Sequence, residues 1–310
     1  MMDVSTKLFR SILLTLAGNR AVESLALKYG LRLGASKFVA GETLEEALEQ
    51  VRVLNRKGIV ATLDHLGEGV RHLSEAASFQ EEYLRLLDQI RITGLYANVS
   101  LKPTQMGLSL DPKAGYSHIH NIVIHAKSLG NFVRIDMENS PFTDATIELM
   151  RRCHAEGLTN VGTVIQAYLY RSEEDIRQLT AEGANLRLVK GAYKEPRAIA
   201  YPQLRDVDAN FKRLIAYRLR SGVYTAVATH DENIINWVKS FINEERIPLS
   251  SFEFQMLYGV RTPLQEQLAR EGYKVRCYVP YGRKWYPYFV RRLAERPANV
   301  WFIVKNMVKR

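Results

Sequence analysis

The chain has 310 residues and a formal net charge of +10, and its residues are 46% apolar, 25% charged and 10% aromatic. This is the balance of a folded globular protein, so it excludes a disordered tail, a linker and a fibrous protein. Length alone allows one or two domains, because an α/β barrel can reach about 250 residues as a single unit. The two cysteines, Cys153 and Cys277, lack metal-ligand spacing, which predicts a reducing compartment and no zinc site.

The positive charge is concentrated at the two ends of the chain. Residues 1–40 hold six basic and two acidic residues, and residues 283–310 hold eight basic residues and one acidic residue. The remaining middle carries a net charge of −1, which is unlike a uniformly basic nucleic-acid-binding protein. Basic, partly apolar ends favour contact with an anionic membrane surface, and solvent-facing helices are an equal alternative for the N-terminal segment.

The apolar segments are too short to cross a membrane. No run of about 18 apolar residues is present, so we predict a cytoplasmic protein without a spanning helix. The apolar run 11–17 is too brief for a signal peptide, since charges resume at Arg20 with helical spacing. The segment 300–310 mixes apolar and basic residues, and we expect it to pack on the protein rather than to touch a membrane.

In chain order, residues 1–58 have helical patterns and are predicted to form an N-terminal helical arm. From residue 59, short β-branched or aromatic runs alternate with segments of helical apolar spacing, which means parallel strands joined by helices. Eight such units predict a (β/α)8 TIM-type barrel over residues 59–310, with a doubly wound open sheet as the alternative. The predicted strands are 59–64, 96–101, 132–136, 161–166, 186–189, 224–229, 252–255 and 275–278, and the clearest helices are 81–92, 144–157, 172–183, 206–221, 232–243 and 263–272.

Polar residues follow every predicted strand, at the face where (β/α)8 barrels carry their active sites. A salt bridge or a loop cap explains any single one about half the time, but coincidence at eight strand ends predicts a functional site. These residues are Asp64, His65, Lys102, Asp136, Glu138, Gln166, Arg187, Lys190, Gly191, Thr229, His230, Asp231, Gln255 and Tyr278.

Lys102 ends one strand and Asp136 ends the next, so we expect them to form an ion pair over the pocket. A purely structural pair is one alternative. A Schiff-base lysine at Lys102 or Lys190 is the other, and it requires a depressed pKa. A carboxylate beside Lys102 argues against such a depression there.

Tyr288, Arg291 and Arg292 share one face if their segment is helical, because they are three and four residues apart. Two guanidiniums beside a phenol suit a carboxylate ligand, with a solvent-facing arginine pair as an equal alternative. No dinucleotide-binding glycine motif, phosphate-binding loop or metal motif is present in the sequence. The pattern therefore points to an anionic substrate and indicates no metal.

Seven segments resemble the proline dehydrogenase family, and they occur in order within residues 59–302. The string Arg187-Leu-Val-Lys-Gly-Ala-Tyr193 with the later Tyr288-x-x-Arg-Arg292 is the most specific part. The short chain resembles the monofunctional bacterial form. The segments are VSLK (99–102), IDME (135–138), VIQAY (164–168), LRLVKGAY (186–193), ATH (228–230), FEFQMLYG (252–259) and YFVRRLAE (288–295).

The resemblance implies an FAD-dependent flavoprotein that oxidises L-proline to Δ1-pyrroline-5-carboxylate by hydride transfer and passes electrons to a membrane quinone. This is the first step of proline catabolism, and it implies peripheral contact with the inner face of the cell membrane. Arg187, Lys102 and Asp136 would be the catalytic residues, with Asp136 orienting Lys102 and Arg187 beside flavin N5. Substrate would contact Lys102, Leu257, Tyr278, Tyr288, Arg291 and Arg292. FAD would contact Gln166, Arg187, Lys190, Gly191, Ala192, Thr229, His230, Gln255, Arg292 and Glu295.

Two residues depart from the pattern of the family. Asp231 stands where many members have Asn, which adds a negative charge near the expected cofactor, and Lys194 replaces an aromatic residue. Two other functions stay open from the residues alone, namely a Schiff-base aldolase and a basic membrane-surface or nucleic-acid-binding protein. The polar strand ends count against the second of these.

Overall fold

A computed structural model describes residues 35–67 and 69–295. Eight parallel strands pair in chain order and close into a barrel, which confirms the predicted (β/α)8 fold. Each predicted strand begins within one residue of the observed strand. The observed seventh and eighth strands end two and three residues later than predicted. The strands are Val60–His65 (β1), Ala97–Leu101 (β2), Val133–Ile135 (β3), Val161–Gln166 (β4), Leu186–Val189 (β5), Thr225–Ala228 (β6), Phe252–Leu257 (β7) and Val275–Tyr281 (β8).

Helices connect the strands as predicted, and one of them was not among the six named from the sequence. That helix is Pro112–Ser128 (α3), whose Asp111 cap accepts hydrogen bonds from the backbone N–H groups of Lys113 and Ala114. An Asp-Pro pair before an apolar segment is a helix-start signal that could have located it. The helices are Leu44–Arg56 (α1), Leu73–Thr93 (α2), Pro112–Ser128 (α3), Thr143–Ala155 (α4), Ser172–Ala181 (α5), Leu204–Ser221 (α6), Glu232–Glu244 (α7), Thr262–Arg270 (α8) and Tyr286–Glu295 (α9).

Helix α1 packs against β1 and β8, the two strands that close the barrel. A capping box starts it, because the Thr43 side chain accepts from the Glu46 N–H while the Glu46 side chain accepts from the Thr43 N–H. Its buried face includes Leu44, Leu48 and Val51. This helix therefore covers the barrel where a helix following β8 would ordinarily lie.

Helix α9 packs instead at the C-terminal face of the barrel. Tyr288 and Phe289 of this helix, with Trp285 directly before it, form an apolar cluster with Phe38 and with Leu66, which directly follows β1. Since Leu66 donates its N–H to the carbonyl of Tyr281, this cluster lies where β1 and β8 end. The polar residues of α9 are thereby placed at the face that carries the predicted site.

Residues 35–41 lie along the same face. The N–H of Ala40 donates to the Pro280 carbonyl at 2.9 Å, and the N–H of Gly282 donates to the Gly41 carbonyl at 3.0 Å. Gly259 has a φ of +70°, and a Cβ atom there would lie 1.6 Å from the carbonyl oxygen of Lys37. Glycine is required at this turn both for its backbone conformation and for the close approach of the N-terminal segment.

Residues 1–34 of the predicted N-terminal arm and the whole predicted C-terminal segment 300–310 lie outside the described residues, as do Glu68 and residues 296–299. Whether the chain divides at residue 58 into an arm and a barrel stays a prediction. Among the described helices, none is both long enough and apolar enough to span a bilayer.

We predict that Gly259→Ala destabilises the protein more than Gly222→Ala does. Both glycines have a positive φ, 70° and 73°, so alanine is strained at each by about 1–2 kcal/mol. No atom lies within 4 Å of a Cβ at position 222. Only Gly259→Ala must also displace Lys37, at a further cost of about 1–3 kcal/mol. Urea unfolding measures both, and equal losses would mean that residues 35–41 do not pack on this turn.

Candidate active site

The interior of the barrel is lined by charged and polar side chains rather than by apolar layers. Residues that alternate with them along the strands, such as Phe252 and Phe254, are buried in the core cluster that includes Leu214, Ile215 and Leu268 of the surrounding helices. The described part of the interior holds four cations and three carboxylates, so it carries one net positive charge. They are Lys102, Arg134, Arg187 and Arg276, and Asp64, Asp136 and Glu253.

Asp136 accepts hydrogen bonds from three side chains that reach it from different strands. Ser100 Oγ donates at 2.6 Å, Arg187 Nη1 at 2.6 Å and Tyr278 OH at 2.8 Å. Burial opposes ionisation of this carboxyl, but Arg187 and the charge of Lys102 outweigh burial and hold the pKa of Asp136 below its usual range. Burial and the neighbouring Asp136 raise the pKa of Tyr278, so the phenol stays a donor.

The predicted pair of Lys102 with Asp136 is wrong, because the Lys102 ammonium lies on Asp64. Its Nζ is 2.9 Å from Oδ2 and 3.1 Å from Oδ1 of that fully buried carboxylate. Asp64 lies on β1, which pairs directly with β2, while the oxygens of Asp136 accept from Ser100, Arg187 and Tyr278. Asp64 is among the strand-end residues that the sequence predicts for the site, but the sequence pattern does not show which carboxylate pairs with Lys102.

Arg187 crosses the barrel interior from β5. Its Nη1 donates to Asp136, which follows β3, and its Nε donates to Gln255 Oε1 on β7 at 2.5 Å. Because β3, β5 and β7 are not neighbouring strands, these side chains meet across the interior. The guanidinium lies 5.3 Å from the Tyr278 ring centre. Its Nη2 has no hydrogen-bond partner among residues 35–67 and 69–295, so it can donate to a ligand.

Three charged residues outside the predicted site lie nearer the N-terminal end of the barrel and form its floor. They are Arg134, Glu253 and Arg276. Glu253 Oε1 accepts from Arg276 Nε at 2.7 Å, and burial, which opposes ionisation, is outweighed by Arg276, so the pKa of Glu253 falls to about 2. Arg134 donates to the carbonyls of Thr163 and Asn185, and its burial lowers the pKa to about 9. A charged residue inside an apolar strand run is the signal that could have identified them, since such charges need partners.

Lys190 belongs to a second charged cluster, at the end of β5. Its ammonium is 2.6 Å from Asp208 and 2.8 Å from Asp231. Burial alone would lower the pKa of Lys190, but hydrogen bonds to the two aspartates outweigh burial and raise it. A raised pKa counts against a Schiff-base role. Asp231, which departs from the family pattern, also caps α7 by accepting from the N–H of Asn233.

Other predicted residues are held by contacts within the loops of this face. Gln166 Nε2 donates to the Glu138 carbonyl, and the carboxylate of Glu138 accepts from Thr104. A Cβ at Gly191, whose φ is +111°, would lie 2.3 Å from the Tyr168 ring. Two further strand-end contacts are made by His230 Nε2, which accepts from the Leu257 N–H, and by Thr229 Oγ1, which accepts from the Asp231 N–H. Ala192 and Lys194 are exposed.

Helix α9 presents the predicted arginine pair at this face. Arg291 and Arg292 are half-buried, and the Arg292 guanidinium lies 5.3 Å from the Tyr288 ring centre. Tyr288 is buried with the other aromatic residues of the helix, so the helix is not a bare solvent face. Glu295 ends α9, and its side chain lies outside the described part of the structure.

The comparisons with known proteins agree on one family. Residues 47–305 match the family model described as proline dehydrogenase. The chain is 46% identical over 303 residues to proline dehydrogenase 1 of Bacillus subtilis (strain 168), covering 98% of this chain and 100% of the relative. The chain belongs to the proline dehydrogenase family. It is also 44% identical over 307 residues to proline dehydrogenase of Deinococcus radiodurans, covering 98% of this chain and 99% of that one.

A solved structure extends the likeness to the fold. Proline utilization A (PutA) from Bdellovibrio bacteriovorus, inactivated by N-propargylglycine, superposes with a TM-score of 0.82 at 25% sequence identity. The match covers 93% of this chain and 36% of that longer protein. These findings confirm the family resemblance that the seven sequence segments carry.

A double-mutant cycle distinguishes the observed partner of Lys102 from the predicted one. We expect Lys102→Met and Asp64→Asn to be coupled in unfolding free energy by about 1–3 kcal/mol, because each removes the same ion pair. The matched cycle of Lys102→Met with Asp136→Asn should show clearly weaker coupling, since Asp136 is held chiefly by Arg187, Ser100 and Tyr278. Stronger coupling to Asp136 would restore the original pairing. Urea unfolding of the single and double variants supplies the values.

Proposed function

We propose that this protein is an FAD-dependent enzyme that oxidises L-proline to Δ1-pyrroline-5-carboxylate and delivers the electrons to a membrane quinone. Membership of the proline dehydrogenase family supports the substrate and the reaction class. The observation that carries the proposal is the Arg187 guanidinium, held across the barrel by Asp136 and Gln255 with Nη2 available to a ligand. The basic ends of the chain support peripheral contact with the inner face of the cell membrane.

The donor chemistry of the strand ends fits a flavin dinucleotide. Such a cofactor offers carbonyl oxygens, ring nitrogens and phosphates, all of which accept hydrogen bonds. Arg187 supplies a donor and a positive charge where charge would accumulate on the reduced ring. Around Arg187 we assign the cofactor contacts to the residues that the family resemblance indicates, which are Gln166, Lys190, Gly191, Ala192, Thr229, His230, Gln255, Arg292 and Glu295.

We assign the substrate carboxylate to three cations, which are Lys102, Arg291 and Arg292. Asp64 holds the ammonium of Lys102 in place, so this cation is fixed before the substrate arrives. Two guanidiniums on one helix allow bidentate contacts with carboxylate oxygens. The walls beside the proline ring are assigned to Leu257, Tyr278 and Tyr288, two of which are aromatic rings that exclude water.

Asp136 acts as an orienting residue in this proposal rather than as a base. Its carboxylate accepts from Ser100, Arg187 and Tyr278, and its lowered pKa keeps it ionised at neutral pH. In this state it holds both the guanidinium of Arg187 and the phenol of Tyr278 in position. The proton of the substrate amine is assigned to solvent. When bound, the flavin supplies the two-electron acceptor for the oxidation of proline and passes electrons on to the quinone.

The absorption spectrum of the purified protein tests the proposal directly. Under anaerobic conditions we expect a flavin spectrum in the visible range that bleaches on addition of L-proline, because the substrate reduces the cofactor. The control is D-proline at the same concentration, in which the carboxylate projects from the opposite face of the ring.

A protein that binds flavin but stays oxidised with L-proline would contradict the substrate assignment. A protein that stays colourless and inactive after FAD is supplied would contradict the cofactor and the reaction. Borohydride trapping of a covalent adduct would then support the aldolase alternative.

A further inference from the structure

Both ends of the Gln255 side-chain amide are engaged within the barrel. Its Oε1 accepts from Arg187 Nε at 2.5 Å, and its Nε2 donates to Glu253 Oε1 at 2.5 Å. The residue is 4% exposed, so the amide is shielded from solvent. Gln255 therefore links the floor of the barrel to the arginine near the strand ends.

The two orientations of this amide are not equivalent. In the observed one, an acceptor oxygen faces Arg187 and a donor nitrogen faces the carboxylate of Glu253. A rotation by half a turn would place N–H groups against the N–H of Arg187 and an oxygen against a carboxylate oxygen. Since neither pair can form a hydrogen bond, a buried amide in that orientation is strongly disfavoured. The carboxylate of Glu253 thus selects the orientation in which Gln255 holds Arg187.

Glu253 is itself fixed from several sides. Its Oε1 accepts from Arg276 Nε at 2.7 Å, and its Oε2 accepts from Tyr224 OH at 2.8 Å. The residue is 2% exposed and lies two residues before Gln255 on β7, nearer the N-terminal end of the barrel. It therefore acts from below the strand-end site.

We propose that Glu253 is a positioning residue for the reaction and that it acts through Gln255 on the guanidinium of Arg187. The inference rests on the proposed function, in which Arg187 contacts the cofactor, and it deepens that function. It assigns to Gln255 the task of holding Arg187, which is distinct from a direct cofactor contact. The set of charged and polar groups that positions Arg187 then extends from the strand ends to Glu253 at the floor of the barrel.

The central experiment compares Glu253→Leu, Gln255→Leu and the double variant in the FAD-loaded protein. We expect each single variant to lower kcat by about tenfold or more with little change in KM for proline, because Arg187 loses its alignment and the carboxylate contacts remain. The double variant should resemble Gln255→Leu, since Glu253 acts through that residue. Visible circular dichroism of the bound flavin is the second readout, and the three variants should share one altered spectrum.

Two conservative variants separate positioning from a merely structural role. Glu253→Gln keeps an acceptor oxygen towards Gln255, so we expect kcat within about threefold of the original and an unchanged dichroism spectrum. Tyr224→Phe removes the hydrogen bond to Oε2 but leaves Oε1 on Gln255, and it should likewise keep both readouts. If Glu253→Leu fails to fold, the pair Glu253→Leu with Arg276→Leu removes the ion pair as a unit, with Arg276→Leu alone as its control.

Three results would overturn the proposal. Glu253→Leu, or its pair with Arg276→Leu, could leave kcat and the flavin spectrum unchanged. Glu253→Gln could be as damaging as Glu253→Leu, which would make the charge responsible rather than the orientation of the amide. The losses in kcat caused by Glu253→Leu and Gln255→Leu could also multiply in the double variant, which would mean that Glu253 acts independently of Gln255. Reduction of the unaltered protein by L-proline is measured first, so that failure of the proposed function is recognised separately.

Discussion

The ion pair between Asp136 and Arg187 is the interaction on which the site depends. It joins Asp136, which directly follows β3, to Arg187 on β5 across the interior of the barrel at 2.6 Å. Neither charge could remain there alone, because an unpaired buried ion costs several kcal/mol. The pair also organises its surroundings, since Asp136 holds Tyr278 and Ser100 while Arg187 holds Gln255. One hydrogen-bonded network therefore joins residues of β2, β5, β7 and β8 through Asp136, which directly follows β3.

The same constraint explains why the floor of the barrel is charged. Arg134 and Arg276 cannot be buried without acceptors, and Glu253 together with backbone carbonyls supplies them. Gly162 makes room for this arrangement, because a Cβ there would lie 2.7 Å from the Arg134 guanidinium. Such an interior adds little net stability by itself. The apolar layer between strands and helices supplies the stability, and the interior supplies fixed geometry.

The fold was largely predictable from the sequence, because strand and helix periods alternate eight times and each period has a physical cause. The face of the site was predictable too, since Lys102, Asp136, Gln255 and Tyr278 follow or end predicted strands and Arg187 lies on the fifth one. The partner of Lys102 was not predictable. Asp64 and Asp136 stand at the ends of the two strands that flank β2, and only the side-chain contacts in the folded barrel decide between them. Glu253 and Arg276 lie near the beginnings of their strands, so they are not among the residues that a search of strand ends identifies. The place of α9 depends on the apolar cluster with residues 35–39, a long-range contact without a local signal.

The ionisation of Glu253 is the most direct test of a barrel interior held together by paired charges. Burial favours its neutral form, but contact with Arg276 lowers its pKa to about 2. Because the folded pKa is depressed, the stability this carboxylate contributes is present above the unfolded pKa, about 4.3, and is lost as pH falls towards the folded value. Protein labelled with ¹³C at glutamate carboxyls, with the resonance assigned by its loss in Glu253→Gln, reports this group alone. We expect its chemical shift to stay that of a carboxylate from pH 7 to the onset of acid unfolding. A titration midpoint near that of exposed glutamates would contradict the account.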